Sequence, residues 1–333
     1  MFRYGNEAGN WKKVLGEKKE KNDFKKKKMK SFGEKERACE LMFIKLGECW
    51  HLWTPEGFDI IFDNEKEYGD GMGIIGVCAR MYPDVVILTF ELMSNHLHIC
   101  AAGSETRIRE MFGYIRMFLE RHMKSLGKVI GWNRFEPGLR QLATLDDLRN
   151  VIIYDNRNGY LVHPEHTPFS YPWGANRYFF NDDAKEIVQR NSRKMPVIMK
   201  RNLCHFRDAG KVEGLMLYNG YASPLSFCRI DIAEQLFRDA SHYFYKLGKS
   251  IETNARIAKE IQESIFYTDD EINDVIYRIC RERYNVKSPS LLNSNAKIEM
   301  AKMLRYDYNA SAAQIERRLR LDGKVIESLF GTR

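Results

Sequence analysis

The spacing of apolar and polar positions changes repeatedly along the first half of the chain, and each change predicts a new secondary-structure element. Residues 48–55 ("ECWHLWTP") and 85–92 ("VVILTFEL") are dense in apolar side chains, which predicts two strands. Residues 96–103 ("HLHICAAG") and 138–144 ("GLRQLAT") predict two more. The Ser-Asn pair at 94–95 predicts a tight connection between the second and third strands.

Helical spacing predicts three helices between and after these strands. Residues 68–83 carry apolar side chains at helical intervals and end in proline, and residues 145–162 predict a helix that stops at Gly159. Ser104 is a typical N-cap residue, and an apolar stripe from Ile108 to Leu119 follows it. The order strand, helix, strand, strand, helix, strand, helix predicts an α+β fold, in which an antiparallel sheet has helices on one face.

The second half of the chain has a different pattern. Residues 181–223 predict a connector, and helical periodicity dominates residues 224–333, which predicts an all-α region. Its last part predicts a helix that ends at Tyr308, then a helix-turn-helix at about 311–330. In that motif a helix at 312–319 is followed by a turn and by a second helix at 322–330.

Charge is concentrated at the start of the chain. The 333-residue protein has a net charge of +8, and residues 1–37 hold 13 Lys and Arg against 6 Asp and Glu. This segment has little to bury, so it predicts a flexible basic arm. Such an arm either binds the phosphates of nucleic acid or is only solvated, and composition does not separate these alternatives.

Composition also narrows the class of protein. The chain lacks a run of about 18 apolar residues and an apolar leader, so we expect neither a membrane span nor a secretory signal. Its seven cysteines are scattered and form no CxxC pair. We therefore expect reduced thiols in a cytoplasmic protein.

Two histidines separated by one residue are the first candidate for chemistry. On a strand, His96 and His98 point to the same face, while Leu97 and Ile99 point to the opposite, helix-covered face. Neutral imidazoles at this spacing can share a divalent cation, although a third ligand has to come from elsewhere. The alternative is two half-exposed polar residues on a sheet.

The predicted helix at 145–162 offers the missing groups. Tyr154 and Asn158 are four residues apart and therefore lie on one helix face. A phenol can attack phosphorus as a covalent nucleophile, and an amide oxygen one turn later can complete a metal site. The alternatives are a packed core tyrosine and an asparagine that only caps the helix.

These residues carry a resemblance to a known family. "MSNHLH" (93–98) resembles the M-x-N-H-h-H signature, with h hydrophobic, of single-tyrosine HUH transposases. "YDNRNGYLVHPEHTPFSYPWG" (154–174) resembles the block that follows it in REP-associated tyrosine transposases. The resemblance covers about residues 49–180, and this chain has Asn158-Gly159 where many relatives have Asn-Pro.

The resemblance implies a ferredoxin-like or RRM-like HUH nuclease domain at 38–180 with a specific mechanism. His96, His98 and Asn158 match the ligands of Mg²⁺ or Mn²⁺. Tyr154 matches the catalytic nucleophile, which cuts single-stranded or hairpin DNA and keeps the 5′ phosphate as a phosphotyrosine. Some relatives act as homodimers and others as monomers, so a homodimer is possible here.

The predicted helix-turn-helix supplies candidates for binding DNA. They are the polar and basic residues Gln314, Arg317, Arg318, Arg320 and Lys324. The alternative is a helical bundle with a solvated charged face. For the whole chain, the leading hypothesis is a transposase. The rivals are a DNA-binding regulator that has lost the chemistry and a replication initiator or relaxase with HUH chemistry.

Overall fold

The computed structural model describes residues 31–162, 166–167, 169–249, 256–258 and 267–331. None of the helices in these ranges is long and apolar enough to cross a bilayer. The predicted basic arm lies mostly outside them. Its last part, residues 31–37, belongs to a helix and is anchored, because Glu36 forms an ion pair with the buried Arg149 at 2.6 Å. The side chains of residues 31–37 are exposed except for the half-buried Glu36, so this end of the predicted arm differs from the prediction only in being helical and held by an ion pair.

The helices and strands follow one another in this order: α1 (31–46), β1 (Cys49–Trp53), α2 (Glu65–Met81), β2 (Val86–Leu92), β3 (Leu97–Ala102), α3 (Glu105–Ser125), β4 (Gly138–Gln141), α4 (Leu145–Val162), α5 (Asp182–Asn191), β5 (Arg193–Lys194), α6 (Val197–Cys204), β6 (Met216–Tyr218), β7 (Tyr221–Ala222), α7 (Ile230–Glu234), α8 (Ala240–Lys249), α9 (Asp269–Glu282), α10 (Ser294–Asp307), α11 (Ala312–Leu319) and α12 (Gly323–Phe330). Short 3₁₀ turns lie at Trp132–Arg134, Asn176–Tyr178, Arg207–Lys211, Pro224–Ser226 and Pro289–Leu291.

The four predicted strands form one antiparallel sheet, in the order β2-β3-β1-β4. β1 pairs with β3 and β4, and β3 pairs with β2 on its other side. The predicted α+β class is therefore confirmed. Successive side chains of these strands point to opposite faces, so the register decides which polar groups meet.

Helices cover both faces of this sheet, so the prediction of helices on one face is wrong. α2 and α3 pack together on the apolar face, where Leu92 lies against Gly71 of α2. α4 packs on β2, β3 and β1 from the opposite side, where its Asn156 contacts Thr89 of β2 through a side-chain hydrogen bond. The face that carries polar residues is thus also buried.

α4 is buried nearly all round because a second layer of helices covers it. Asn156 donates to the Tyr243 hydroxyl of α8 at 2.8 Å. Arg157 makes two hydrogen bonds to the Glu271 carboxylate of α9, at 2.6 and 2.7 Å, and both side chains are buried. The sequence pattern of α4 does not reveal that its second face is buried, because that face carries polar residues whose partners come from other helices.

Removal of the Glu271 carboxylate should leave the Arg157 guanidinium buried and unpaired. We expect Glu271→Ala to lower the free energy of unfolding by about 3–5 kcal/mol. Asp274→Ala on the exposed side of the same helix is the control, with an expected change within about 0.5 kcal/mol. Urea denaturation of both variants checks this, and equal effects of the two substitutions would contradict it.

The segment 181–223, predicted as a connector, is folded. It contains α5, α6 and a three-stranded antiparallel sheet in the order β5-β6-β7. Val188, Leu203 and Leu217 from this segment belong to the same apolar core as the main sheet. That core extends to Ala258, and a separate apolar cluster spans Tyr267 to Ile326. The apolar residues described within 224–249 and 256–258 therefore belong to the first core and not to the C-terminal cluster.

His242 of α8 makes stability depend on pH. Burial, together with the charges of Arg238, Arg149 and Lys246, lowers the pKa of this imidazole to about 4, against an opposing effect of Glu36. Since the unfolded chain binds a proton near pH 6.5 and the folded chain only near pH 4, stability falls as the pH drops through this window. Between pH 7 and pH 5 the loss should be about 2 kcal/mol. Urea denaturation at both pH values measures the loss of unfolding free energy, which should be smaller by this amount in His242→Gln than in the parent protein. Equal losses in the two proteins would show that His242 does not cause the pH dependence.

Candidate active site

Two histidines from neighbouring strands meet on the face that α4 covers. In the β1–β3 register His51 pairs with Cys100 and Trp53 pairs with His98, so His51 and His98 are diagonal neighbours on one face. Their rings are stacked, with centroids 5.6 Å apart, and His51 Nε2 lies 3.4 Å from His98 Nδ1. Strand pairing alone therefore brings two imidazole nitrogens together.

Asp155 of α4 completes a cluster with these two rings. Its Oδ1 lies 3.0 Å from His51 Nε2 and 3.7 Å from His98 Nδ1. All three residues are 0% exposed, and their ligand atoms lie within 4.8 Å of one another. Around one cation bound at about 2.1 Å, neighbouring ligand atoms are about 3.0 Å apart in octahedral and about 3.4 Å apart in tetrahedral geometry. The observed spacings match a shared metal ion.

The electrostatics of the cluster also fit a cation. Burial raises the pKa of Asp155, which the neighbouring His51 partly opposes. Burial lowers the pKa of His98 well below its usual range, and the charges of His96 and His51 act in the same direction. The imidazole of His98 is therefore neutral, as a metal ligand must be. Asp155 Oδ2 is buried with no hydrogen-bond partner among the described residues, so this second carboxylate oxygen is available to a cation.

Tyr154 lies beside this cluster. Its ring is edge-on to both imidazoles, with centroids 5.9 Å from His98 and 6.4 Å from His51. The residue is only 3% exposed. The ring of Tyr154 therefore lies next to the histidine strand, and neighbouring residues enclose it.

The structure brings together only part of the predicted metal set. His98 belongs to the cluster. His96 is not one of its three members, but its ring is edge-on to His98 at 5.1 Å and burial lowers its pKa to about 4. Asn158 is half-buried, one helical turn after Tyr154. The predicted set of His96, His98 and Asn158 therefore remains a prediction beside the observed cluster.

Sequence reasoning missed His51, Asp155 and Glu91. His51 stands in the predicted first strand, and Asp155 directly follows Tyr154, but neither has a spacing motif to mark it. Glu91 is the cross-strand partner of His98. The one signal that could have identified Glu91 is that it is a charged residue inside an otherwise apolar strand.

Glu91 adds a second buried carboxyl group to this polar layer. A Cβ atom at Gly159 would lie 1.9 Å from one carboxylate oxygen, and a Cβ at Gly174 would lie 2.1 Å from the other. Only glycine at both places leaves room for the carboxyl group. Burial raises the pKa of Glu91 well above its usual range, although the Gly159 backbone N–H lowers it in part.

The C-terminal pair of helices lies where the sequence predicts it. Ser311 caps α11 and Asp322 caps α12 through side-chain hydrogen bonds to backbone N–H groups. The left-handed conformation of Arg320 ends α11 and opens the turn. The two-helix arrangement is therefore present at 312–330, and its binding of DNA remains a prediction.

The predicted DNA-binding residues divide into two groups. Arg317, Arg318 and Arg320 border one cleft together with Lys297. Arg317 and Arg318 both form ion pairs with Asp269, at 3.1 and 3.0 Å.

The other two residues are not in that cleft lining. Gln314 has a local structural task, because its side chain accepts from the Ser311 N–H and donates to the Tyr267 carbonyl at 2.8 Å. Lys324 is exposed at the start of α12.

No protein-family model, no curated protein and no solved structure matches this chain. What the protein does has to be inferred from the side chains around Tyr154.

Proposed function

We propose that this protein is a metal-dependent transposase that cuts and rejoins single-stranded or hairpin DNA through Tyr154. One observation carries the proposal: a tyrosine ring lies beside a buried His51–His98–Asp155 cluster whose spacings fit one cation. The strand order β2-β3-β1-β4 supports it, because a β-α-β-β-α-β chain with this order has the arrangement of a ferredoxin-like core. Such a core is what the resemblance to single-tyrosine HUH transposases implies.

The chemistry required of Tyr154 is a transesterification. The phenolic oxygen attacks the scissile phosphorus, a tyrosyl O–P bond forms, and the P–O3′ bond breaks. The phenol loses a proton and the departing 3′ oxygen gains one. Attack by a 3′ hydroxyl on the phosphotyrosine reverses these changes and joins two DNA ends, so no external energy source is needed.

A divalent cation held by His51, His98 and Asp155 would polarise the phosphate and stabilise its developing charge. Two imidazoles and one carboxylate suit Mn²⁺ better than Mg²⁺, which prefers oxygen ligands. Of the two cations that the resemblance implies, we therefore propose Mn²⁺ as the tighter ligand.

Burial of the site favours a second candidate function. Because Tyr154 is 3% exposed and the cluster is fully enclosed, a DNA phosphate reaches the phenol only if neighbouring groups move. A DNA-binding regulator without chemistry would need no such movement. In that case the buried cluster serves stability, and the cleft around Arg317, Arg318 and Arg320 contacts DNA phosphates.

Incubation with end-labelled DNA tests the proposal. A pool of hairpins with randomised flanking single strands is mixed with the protein and either Mn²⁺ or Mg²⁺, then run on a denaturing gel. We expect a covalent protein–DNA adduct, with half-maximal formation at a Mn²⁺ concentration at least about 10-fold below that of Mg²⁺. Binding of the pool with no adduct at any metal concentration would leave the regulator as the better account.

A further inference from the structure

A cleft at the edge of the main sheet is separate from the metal cluster. It lies between the start of α2, the segment 172–178 and the β6–β7 hairpin, and its cavity volume is about 140 Å³. Pockets for drug-sized ligands are larger, at about 300–1,000 Å³, so this cleft suits one small group and not an extended ligand.

The segment 171–175 connects this cleft to the proposed active site. It runs along β2, the edge strand, because Leu92 N–H donates to the Trp173 carbonyl at 2.9 Å and Ala175 N–H donates to the Phe90 carbonyl at 3.2 Å. Trp173 lines the cleft, whereas its neighbour Gly174 lies against the Glu91 carboxyl group on the face of the polar layer. A ligand in the cleft is thus one residue of backbone away from the wall of the site.

The walls of the cleft are aromatic and preformed. Trp173, Tyr178, Tyr218 and Tyr221 all border it. The Trp173 ring is held by stacking on Tyr68 at 5.3 Å and by an edge contact with Tyr221, also at 5.3 Å. Flat rings in such positions offer π faces and edges to a planar ligand.

Two polar groups at the cleft point to hydrogen bonding with a ligand. Ser223 is 2% exposed, and its hydroxyl is buried with no hydrogen-bond partner among the described residues. The backbone of Ser223 is already paired, since its N–H donates to the Met216 carbonyl and its carbonyl accepts from Ser226. Arg177 lines the same cleft, and its buried Nε lacks a partner within the described ranges. A hydroxyl can donate and accept, whereas a guanidinium only donates.

We propose that this cleft binds an unpaired nucleobase of the DNA strand on which Tyr154 acts. A nucleobase is planar, it carries acceptors and donors along one edge for Ser223 and Arg177, and its phosphate brings negative charge towards the guanidinium. The inference rests on the proposed function, since it makes the cleft the place where the strand next to the cut is held. Stacking in this place orients the strand without a base pair.

Binding measurements in the Tyr154→Phe background test the cleft without any covalent step. Fluorescence anisotropy is measured with a single-stranded oligonucleotide and with a series in which one position at a time is abasic. We expect one position at which base removal weakens binding by about 10- to 100-fold, which is the range for loss of one stacked base. Ser223→Ala and Tyr218→Ala should weaken binding of the intact strand and should remove the effect of that position.

Tyr114→Ala is the matched control, because Tyr114 is also half-buried but borders a different cleft, between α3 and Tyr82. It should bind as the parent does, and thermal melting must show that all variants are folded. Free deoxynucleoside monophosphates are titrated in parallel. If they compete only at concentrations far above the strand's dissociation constant, the base comes from the strand, and tighter competition would identify a free nucleotide instead.

The two proposals fail in different ways. A flat abasic series, or Ser223→Ala and Tyr218→Ala variants that bind as the parent does, would overturn the nucleobase cleft even if the wild-type protein forms an adduct. If the positional effect is present and the wild-type protein forms no adduct, the cleft stands and the cutting activity does not.

Discussion

Tyr154→Phe should abolish the covalent adduct with DNA, with a loss of more than about 1,000-fold in the rate of cutting. The substitution removes one oxygen atom and keeps the ring that packs beside His98 and His51. The nucleophile is therefore lost while the cluster and the fold remain. The measurement is adduct formation with labelled hairpin DNA in Mn²⁺, followed by denaturing electrophoresis.

The control for this experiment is Tyr243→Phe. Tyr243 is similarly buried, and its hydroxyl hydrogen-bonds with Asn156 of α4 and with Asn176 and not with the three residues of the cluster. It should keep the rate within a small factor once stability has been checked by thermal melting. An adduct that persists in Tyr154→Phe would assign the nucleophile to another residue.

Asp155→Asn should lower the affinity for Mn²⁺ by more than about 100-fold. Changes in groups that only support metal ligands typically cost 10- to 100-fold, and loss of a charged ligand exceeds this. The substitution preserves the shape of the side chain and removes its charge. Isothermal titration of Mn²⁺ into the protein measures the effect, and His51→Gln should behave in the same way.

The same titration separates the two possible ligand sets. If the cation is held by His51, His98 and Asp155, Asn158→Ala changes the affinity by less than about 10-fold. If it is held by the predicted set, Asn158→Ala and His96→Gln weaken binding strongly, whereas His51→Gln does so only weakly. His98→Gln should abolish tight binding in either case, which makes it the positive control. Unchanged affinity in His98→Gln would exclude both sets.

The predicted helices and strands around the site depended on local signals that the tertiary structure preserved. The alternation of the third strand correctly put His98 and Ile99 on opposite faces, because the side-chain period of a strand is fixed by its backbone. The starts of α11 and α12 were also predictable, since Ser311 and Asp322 are N-capping residues.

Segment 181–223 was misjudged for a physical reason. Its strands β5 and β7 have only two residues each, which is too short for an alternation of apolar and polar residues to be recognised in the sequence. They exist because Leu217 and neighbouring apolar side chains can be buried against the main core. Such short strands take their stability from tertiary packing.

Local patterns along the chain were enough to establish an α+β protein, a histidine strand, a tyrosine helix and a C-terminal pair of helices. Tertiary structure alone decided that His51 stands beside His98, because strand order joins residues 47 positions apart. It alone decided that α4 covers the polar face and turns Asp155 towards those rings. The periodicity of a helix shows which residues share a face, but the burial of apolar area elsewhere determines what that face meets.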